Sequence, residues 1–225
     1  MELTLLIDPT NFKNEETGRI HVGVSKHTVD FDGVEFGFLP RNFFRGKGEK
    51  KVVAQSAIDV SKHWVMPIIY TATFNKETNQ VLMYQRKSKD PLLEGLWSIG
   101  FGGHADLTDV NSTETANLKD ILASSVVREI EEELLHPLSQ SLKFNLADLH
   151  VTDLVLRSEA NITNEMHIGF PAKYYLDPTG IDLKNLINHS EEVIDAKWVT
   201  LTPDTLKEFE FEPWTELFIS ELVAA

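Results

Sequence analysis

A chain of 225 residues, 42% hydrophobic and 25% charged, is long enough to bury a real core as one domain with additions or at most two small ones. It has no cysteine, which excludes disulfides, thiolate metal sites and a cysteine nucleophile, and fits a reducing, cytoplasmic setting. A net charge of −14 argues against nonspecific binding to nucleic acid or anionic membranes. It does not exclude a polyphosphate, because bound divalent cations reverse the local field.

The opening MELTLLIDPTNF is a short apolar stretch broken by Asp8 and Pro9 and without a basic leader, so no signal peptide is expected. No stretch approaches the roughly 18 uninterrupted apolar residues of a membrane span. Residues 1–61 read as a β-rich N-terminal extension packed on the core, with a hairpin including Ile20 to Val24 and a strand from Val34 to Leu39. Arg41 to Lys51 is the most basic segment, either a solvated loop or an electropositive lip for an anion.

From Trp64 to Phe74 an apolar, β-branched run predicts a buried strand. Asn75 to Gln80 is a turn, and Val81 to Arg86 returns as a second strand. A glycine-rich loop, Asp90 to His104, and a polar stretch, Asp106 to Thr115, lead to a helix from about Leu118 to Leu135. Leu154 to Arg157, Met166 to Tyr175 and Ala196 to Val199 follow as strands. Thr202 and Pro203 form a helix-start signal, and Trp214 to Val223 a closing amphipathic helix. Hairpins without regular strand–helix alternation predict an α+β or α/β/α layered domain.

Within SSVVREIEEELL, residues 124 to 135, a rotation of about 100° per residue puts Glu132 and Glu133 about 60° and 40° to either side of Glu129. Arg128 borders the three carboxylates. Ala123, Val126, Ile130 and Leu134 are expected on the core side, and Glu131 in solvent. Three close carboxylates repel one another, and a hard divalent cation with oxygen ligands offsets that. Gly100, Gly102 and Gly103 let backbone approach a ligand closely. Together they make a metal–phosphate cradle.

These residues resemble the Nudix hydrolase signature, G-x5-E-x7-R-E-U-x-E-E-x-G-U with U aliphatic. Arg128-Glu129-Ile130-Glu131-Glu132-Glu133 matches the R-E-U-x-E-E core, and Gly103 the leading glycine. The resemblance covers roughly residues 62–205, leaving 206–225 as a C-terminal helix, and implies an α/β/α sandwich with a mixed sheet. Gly103 and Arg128 are twenty-five positions apart, eleven more than the family's fourteen. The glutamate between them has no clear counterpart; Asp106, Glu114 and Asp120 are the candidates, and Leu135 and His136 stand at the terminal Gly and aliphatic positions. The long loop resembles a subgroup of predicted phosphoesterases within the family.

The resemblance implies a pyrophosphohydrolase using Mg²⁺ or Mn²⁺ on a small phosphoanhydride substrate, such as a linked nucleoside diphosphate. Glu129, Glu132, Glu133 and the Gly103 carbonyl would be ligands, and Arg128 would orient Glu129. The general base would be Glu129 or a carboxylate beyond the box: Glu159 or Glu165 by preference, Glu191 or Glu192 otherwise. Arg86 and His104 are candidates for binding phosphate. Neither nucleic acid nor membrane is an expected partner, and a homodimer is admitted. The alternative is a noncatalytic Nudix-fold nucleotide sensor; an isopentenyl diphosphate isomerase is discounted for want of a cysteine.

Overall fold

The two long apolar runs, MPIIYTATFN and HIGFPAKYYL, form the longest strands of the protein. The computed structural model describes residues 2–13, 16, 19–26, 31, 34–44, 56, 59–60, 63–110, 117–159 and 166–224. In chain order the strands are β1 (Leu3–Ile7), β2 (Gly23–Lys26), β3 (Phe36–Pro40), β4 (Met66–Asn75), β5 (Val81–Arg86), β6 (Trp97–Ser98) and β7 (Gly100–Phe101). They continue as β8 (Leu149–Val151), β9 (Leu154–Arg157), β10 (His167–Leu176) and β11 (Val193–Val199). The main helices are α1 (Leu118–Ile130), α2 (Leu183–His189) and α3 (Pro213–Ala224). None of the described helices is long and apolar enough to cross a membrane.

The contacts divide the chain into two units. One comprises Met1–Ile69, Gly103–Ser125 and Asp153–Phe170; the other Tyr70–Gly102, Val126–Thr152 and Pro171–Ala225. In the first, β1 pairs antiparallel with β3, from Leu3 opposite Pro40 to Ile7 opposite Phe36. Leu6, Phe44, Met66 and Met166 form a core cluster there, with Leu39 and Trp64 packed against it. Of the expected hairpin around Ile20 to Val24, Ile20 bridges antiparallel to Lys13, and β2 pairs along its whole length with β9, Gly23 opposite Arg157. The apolar strand LVLR offers β2 four consecutive partners.

In the second unit the strand order is β11-β5-β4-β10, with β6 on β5, β7 on β4 and β8 on β10. The β4–β5 turn closes as expected: the Asn75 side chain accepts from the amides of Glu77 and Thr78, and Asn79 takes a positive φ of 55°. Met66 N–H donates to the Met166 carbonyl at one end of β4, and Lys76 N–H to the Leu176 carbonyl beyond the other. Strands β4 and β10 therefore run parallel among antiparallel neighbours, giving a mixed sheet and an α+β fold. Thr202 does cap a turn, its hydroxyl accepting from Thr205 N–H, but only a 3-10 turn, Thr205–Glu208, forms. The chain leaves that turn extended, and Trp97 exchanges backbone bonds with Glu210 and Glu212 before α3 begins.

Candidate functional site

Helix α1 buries Leu118, Ile121, Leu122, Ser125, Val126, Glu129 and Ile130. This arc differs from the expected core face. Ala123 is exposed, because at about 100° per residue it lies outside an arc centred between Leu122 and Glu129. Glu129 therefore points inward, 7% exposed, rather than lying on a solvent face.

Beyond Ile130 the helix widens into a π turn, Glu131–Leu135, in which His136 N–H donates to the Glu131 carbonyl. Pro137 accounts for the change. It has no N–H for the Glu133 carbonyl, and its ring would crowd that carbonyl in a regular α-turn. A five-residue turn relieves both problems. The carboxylates consequently diverge. Glu132 is exposed, whereas Glu133 is half-buried and accepts a 2.8 Å bond from Gly102 N–H. Gly102 holds a φ of 147°, a conformation that favours glycine. Glu131 is not simply solvated: its Oε1 accepts from Phe144 N–H at 3.4 Å.

Arg128 spans the acidic face. Its Nη1 donates to Glu129 Oε1 at 2.8 Å and to Glu132 Oε2 at 3.5 Å. Burial, then the nearby charges of Glu129 and Glu192, push the Glu133 carboxyl up to about 8, against the opposing pull of Gly102 N–H and Arg86. Arg86 Nη1 donates to the Tyr84 hydroxyl at 3.2 Å, and its Nη2 lies 3.8 Å from Glu192 Oε2. Its buried Nε has no hydrogen-bond partner among the described residues. Tyr84 donates to the Gly100 carbonyl at 2.7 Å and is itself held above the usual phenol range, chiefly by burial.

The helix exit, where the family motif has a glycine, is capped from α2. Asn185 Nδ2 donates to the Leu138 carbonyl and His189 Nδ1 lies 3.3 Å from the Pro137 carbonyl. A carbonyl only accepts, so that ring nitrogen carries the proton. These residues line a cleft of about 510 Å³ with Glu132 and His136.

Other expected site residues belong to the first unit. The Gly103 carbonyl accepts from Ile69 N–H at 3.0 Å. His104 Nδ1 lies 3.1 Å from Arg41 Nη2, and its Nε2 2.8 Å from His167 Nε2. Arginine only donates, so His104 accepts at Nδ1 and donates from Nε2 to His167. Glu159 is exposed, while Glu165 and Glu114 lie outside the described residues. Asp120 and Asp106 serve local caps: Asp120 exchanges bonds with Asn117, and Asp106 closes the turn Leu107–Asp109. Sequence reasoning did not single out Tyr84 or Glu212, it named Gly102 only as loop backbone free to approach a ligand, and it ranked Glu192 below Glu159 and Glu165. The one available signal was the glycine loop itself. Among the described residues no three His, Asp or Glu side chains converge closely enough to hold an ion.

No family model and no curated protein matches the sequence. Solved structures do. Tm1382, assigned to the Nudix hydrolases, aligns over 99% of both chains at 16% identity with a TM-score of 0.59. The fold is the Nudix fold. The NUDIX domain of NrtR from Shewanella oneidensis, complexed with ADP ribose, matches 70% of this chain and 86% of its own at 14% identity and a TM-score of 0.46. MutT from Methanosarcina mazei Go1 matches 70% and 91% at 18% identity and 0.40. The end-to-end match to Tm1382 carries the assignment. In this chain Arg128, Glu129 and Ile130 of the R-E-U-x-E-E run close α1, and Glu131, Glu132 and Glu133 open the π turn.

Proposed function

We propose that this protein is a metal-dependent Nudix-type pyrophosphohydrolase that cleaves a phosphoanhydride bond in a nucleoside diphosphate-linked or related small molecule. The observation behind this is the pair of inward-facing carboxylates, Glu129 and Glu133, set between Arg128 and the Gly102 amide. Two neighbouring carboxyl groups, one of them resisting ionisation, are a donor set that a hard divalent cation suits. Mg²⁺ or Mn²⁺ would be held by Glu129, Glu133 and Glu132, Glu132 first leaving its 3.5 Å contact with Arg128. A bound ion of this kind polarises phosphoryl oxygens and acidifies water.

The protein's own groups have distinct tasks. Arg128 cannot lose its proton, and its 2.8 Å bond fixes the Glu129 carboxylate. Gly102 N–H fixes Glu133. Arg86, whose Nε has no partner among the described residues, is the group offered to a substrate phosphate oxygen. For the general base, Glu192 joins Glu159 and Glu165 because its charge is felt at Glu133. The reading is tested with Mg²⁺ or Mn²⁺ against nucleoside triphosphates, dinucleoside polyphosphates, NAD(H), ADP-ribose, sugar nucleotides and coenzyme A. Metal-dependent release of a phosphate-bearing product from at least one is expected. Ligand binding without turnover across the panel would favour a noncatalytic nucleotide sensor.

A further inference from the structure

Glu212 is 3% exposed and lies outside the motif, in the extended segment that leads into α3. Its Oε1 accepts from three hydroxyls: Tyr70, Ser98 at 3.1 Å and Thr215 at 3.3 Å. A carboxylate taken out of water is tolerated only where donors replace its hydration, so this clustering of hydroxyls is the condition for its burial. Two of those hydroxyls face the glycine loop. Ser98 Oγ accepts from Gly100 N–H at 3.2 Å, and Thr215 Oγ1 accepts from Ile99 N–H at 3.2 Å. Both amides thus reach the carboxylate through one hydroxyl each, and bonds in such chains polarise one another. The third donor, Tyr70, fills the space beside Gly100, where an added Cβ would lie 2.2 Å from its ring. On its other side the loop gives the Gly102 N–H to Glu133.

We infer that Glu212 is a positioning residue for this loop: through Ser98 and Thr215 it holds the Ile99 and Gly100 amides, and thereby sets where Gly102 N–H meets Glu133. This rests on the reading of Glu133 as a metal ligand only for its effect on metal affinity. Its effect on the Gly102 amide stands apart. A merely structural Glu212 would support α3 and leave Gly102 unmoved.

The test is Glu212→Gln in ¹⁵N-labelled protein, followed by amide resonances and by Mn²⁺ titration. The Ile99, Gly100 and Gly102 resonances are expected to move together, and the Mn²⁺ dissociation constant to rise about tenfold, as when a group behind a ligand is removed. Combining Glu212→Gln with Glu133→Gln should add little to the loss from Glu133→Gln alone, because both act at one carboxylate. Movement of Ile99 and Gly100 with a stationary Gly102, or fully additive losses in the double variant, would overturn the inference. Ser98→Ala breaks one relay and keeps the carboxylate. It should shift Gly100 and Gly102 in the same directions, and it decides the matter if Glu212→Gln does not fold. A wild-type protein that binds no Mn²⁺ would refute the hydrolase reading, and the Gly102 resonance alone would then decide the role of Glu212.

Discussion

Glu133 is held where burial and the charge of Glu129 both resist its ionisation, and on the proposed metal-dependent reading this would give cation binding a defined pH dependence. Below about 8 an incoming cation has to displace a proton from Glu133, and above it the carboxylate is already free. Mn²⁺ affinity is therefore expected to climb with pH, with a slope approaching one proton, and to level off above pH 8; a flat profile in calorimetric titration would refute this. The metal-free protein should show the reverse trend in stability. A carboxyl whose folded value lies above its ordinary one stabilises the fold fully below about 4.5 and loses that contribution as pH rises through about 8. Metal-free Glu133→Gln should therefore melt higher than wild type at pH 9, by at least ~2 °C for a chain of this size. Glu132 has a different balance, since its side chain is exposed and its Oε2 lies 3.5 Å from Arg128 Nη1. On the proposed ligand role, Glu132→Gln should lower turnover by roughly 100-fold or more and leave the melting temperature unchanged, since an exposed side chain adds little to packing. Equal activity in that variant would remove Glu132 from the ligand set.

At the scale of the element, the π turn decides where the acidic residues point. The run REIEEE announces a helix and an acidic face; the helix is present, but its carboxylates diverge. Its angular layout was not legible from a uniform 100° per residue, because Pro137 widens the turn before it. The signal was there in His136-Pro137: a proline four residues after Glu133 cannot sit in an unbroken α-helix. Ala123 was misplaced for a related reason. An apolar residue near an amphipathic stripe is easily counted into it, while the polar Ser125 and Glu129 that truly occupy it are counted out. Pro137→Ala should let the helix revert to α-geometry, shifting Glu132 and Glu133 around the axis. Turnover is expected to fall roughly tenfold although no ligand is touched, since a misplacement of about 1 Å can cost 100-fold. Unchanged kcat, with the π turn lost in a crystal structure of the variant, would show that the turn is incidental to the site.

For the whole molecule, the strand runs, the β4–β5 turn, the closing helix and the mixed α+β character were legible in the sequence, each resting on a local pattern. The β2–β9 pairing was not, because nothing near Gly23 names a partner more than a hundred residues away. Glu212 was illegible for the same reason: in FEFEPW it is one more surface-like acid until its three hydroxyl partners are brought to it. The net charge of −14 has its own consequence for an anionic substrate. Like charges slow encounter, so kcat/KM at saturating metal should rise roughly two- to threefold between 20 and 200 mM salt, as screening shortens the reach of the field. A fall over that range would point to a positive mouth dominating capture.

The bond between Tyr70 and Glu212 joins positions 142 residues apart. Long-range closures of this kind come late when a chain folds, after nearby turns and helices have formed. Helix α1, being local, has no need to wait. A refolding chain should thus pass through an interval in which its helical signal is complete but the glycine loop is still unclamped. Mn²⁺ binding would then be the last property to return, on a slower clock than circular dichroism.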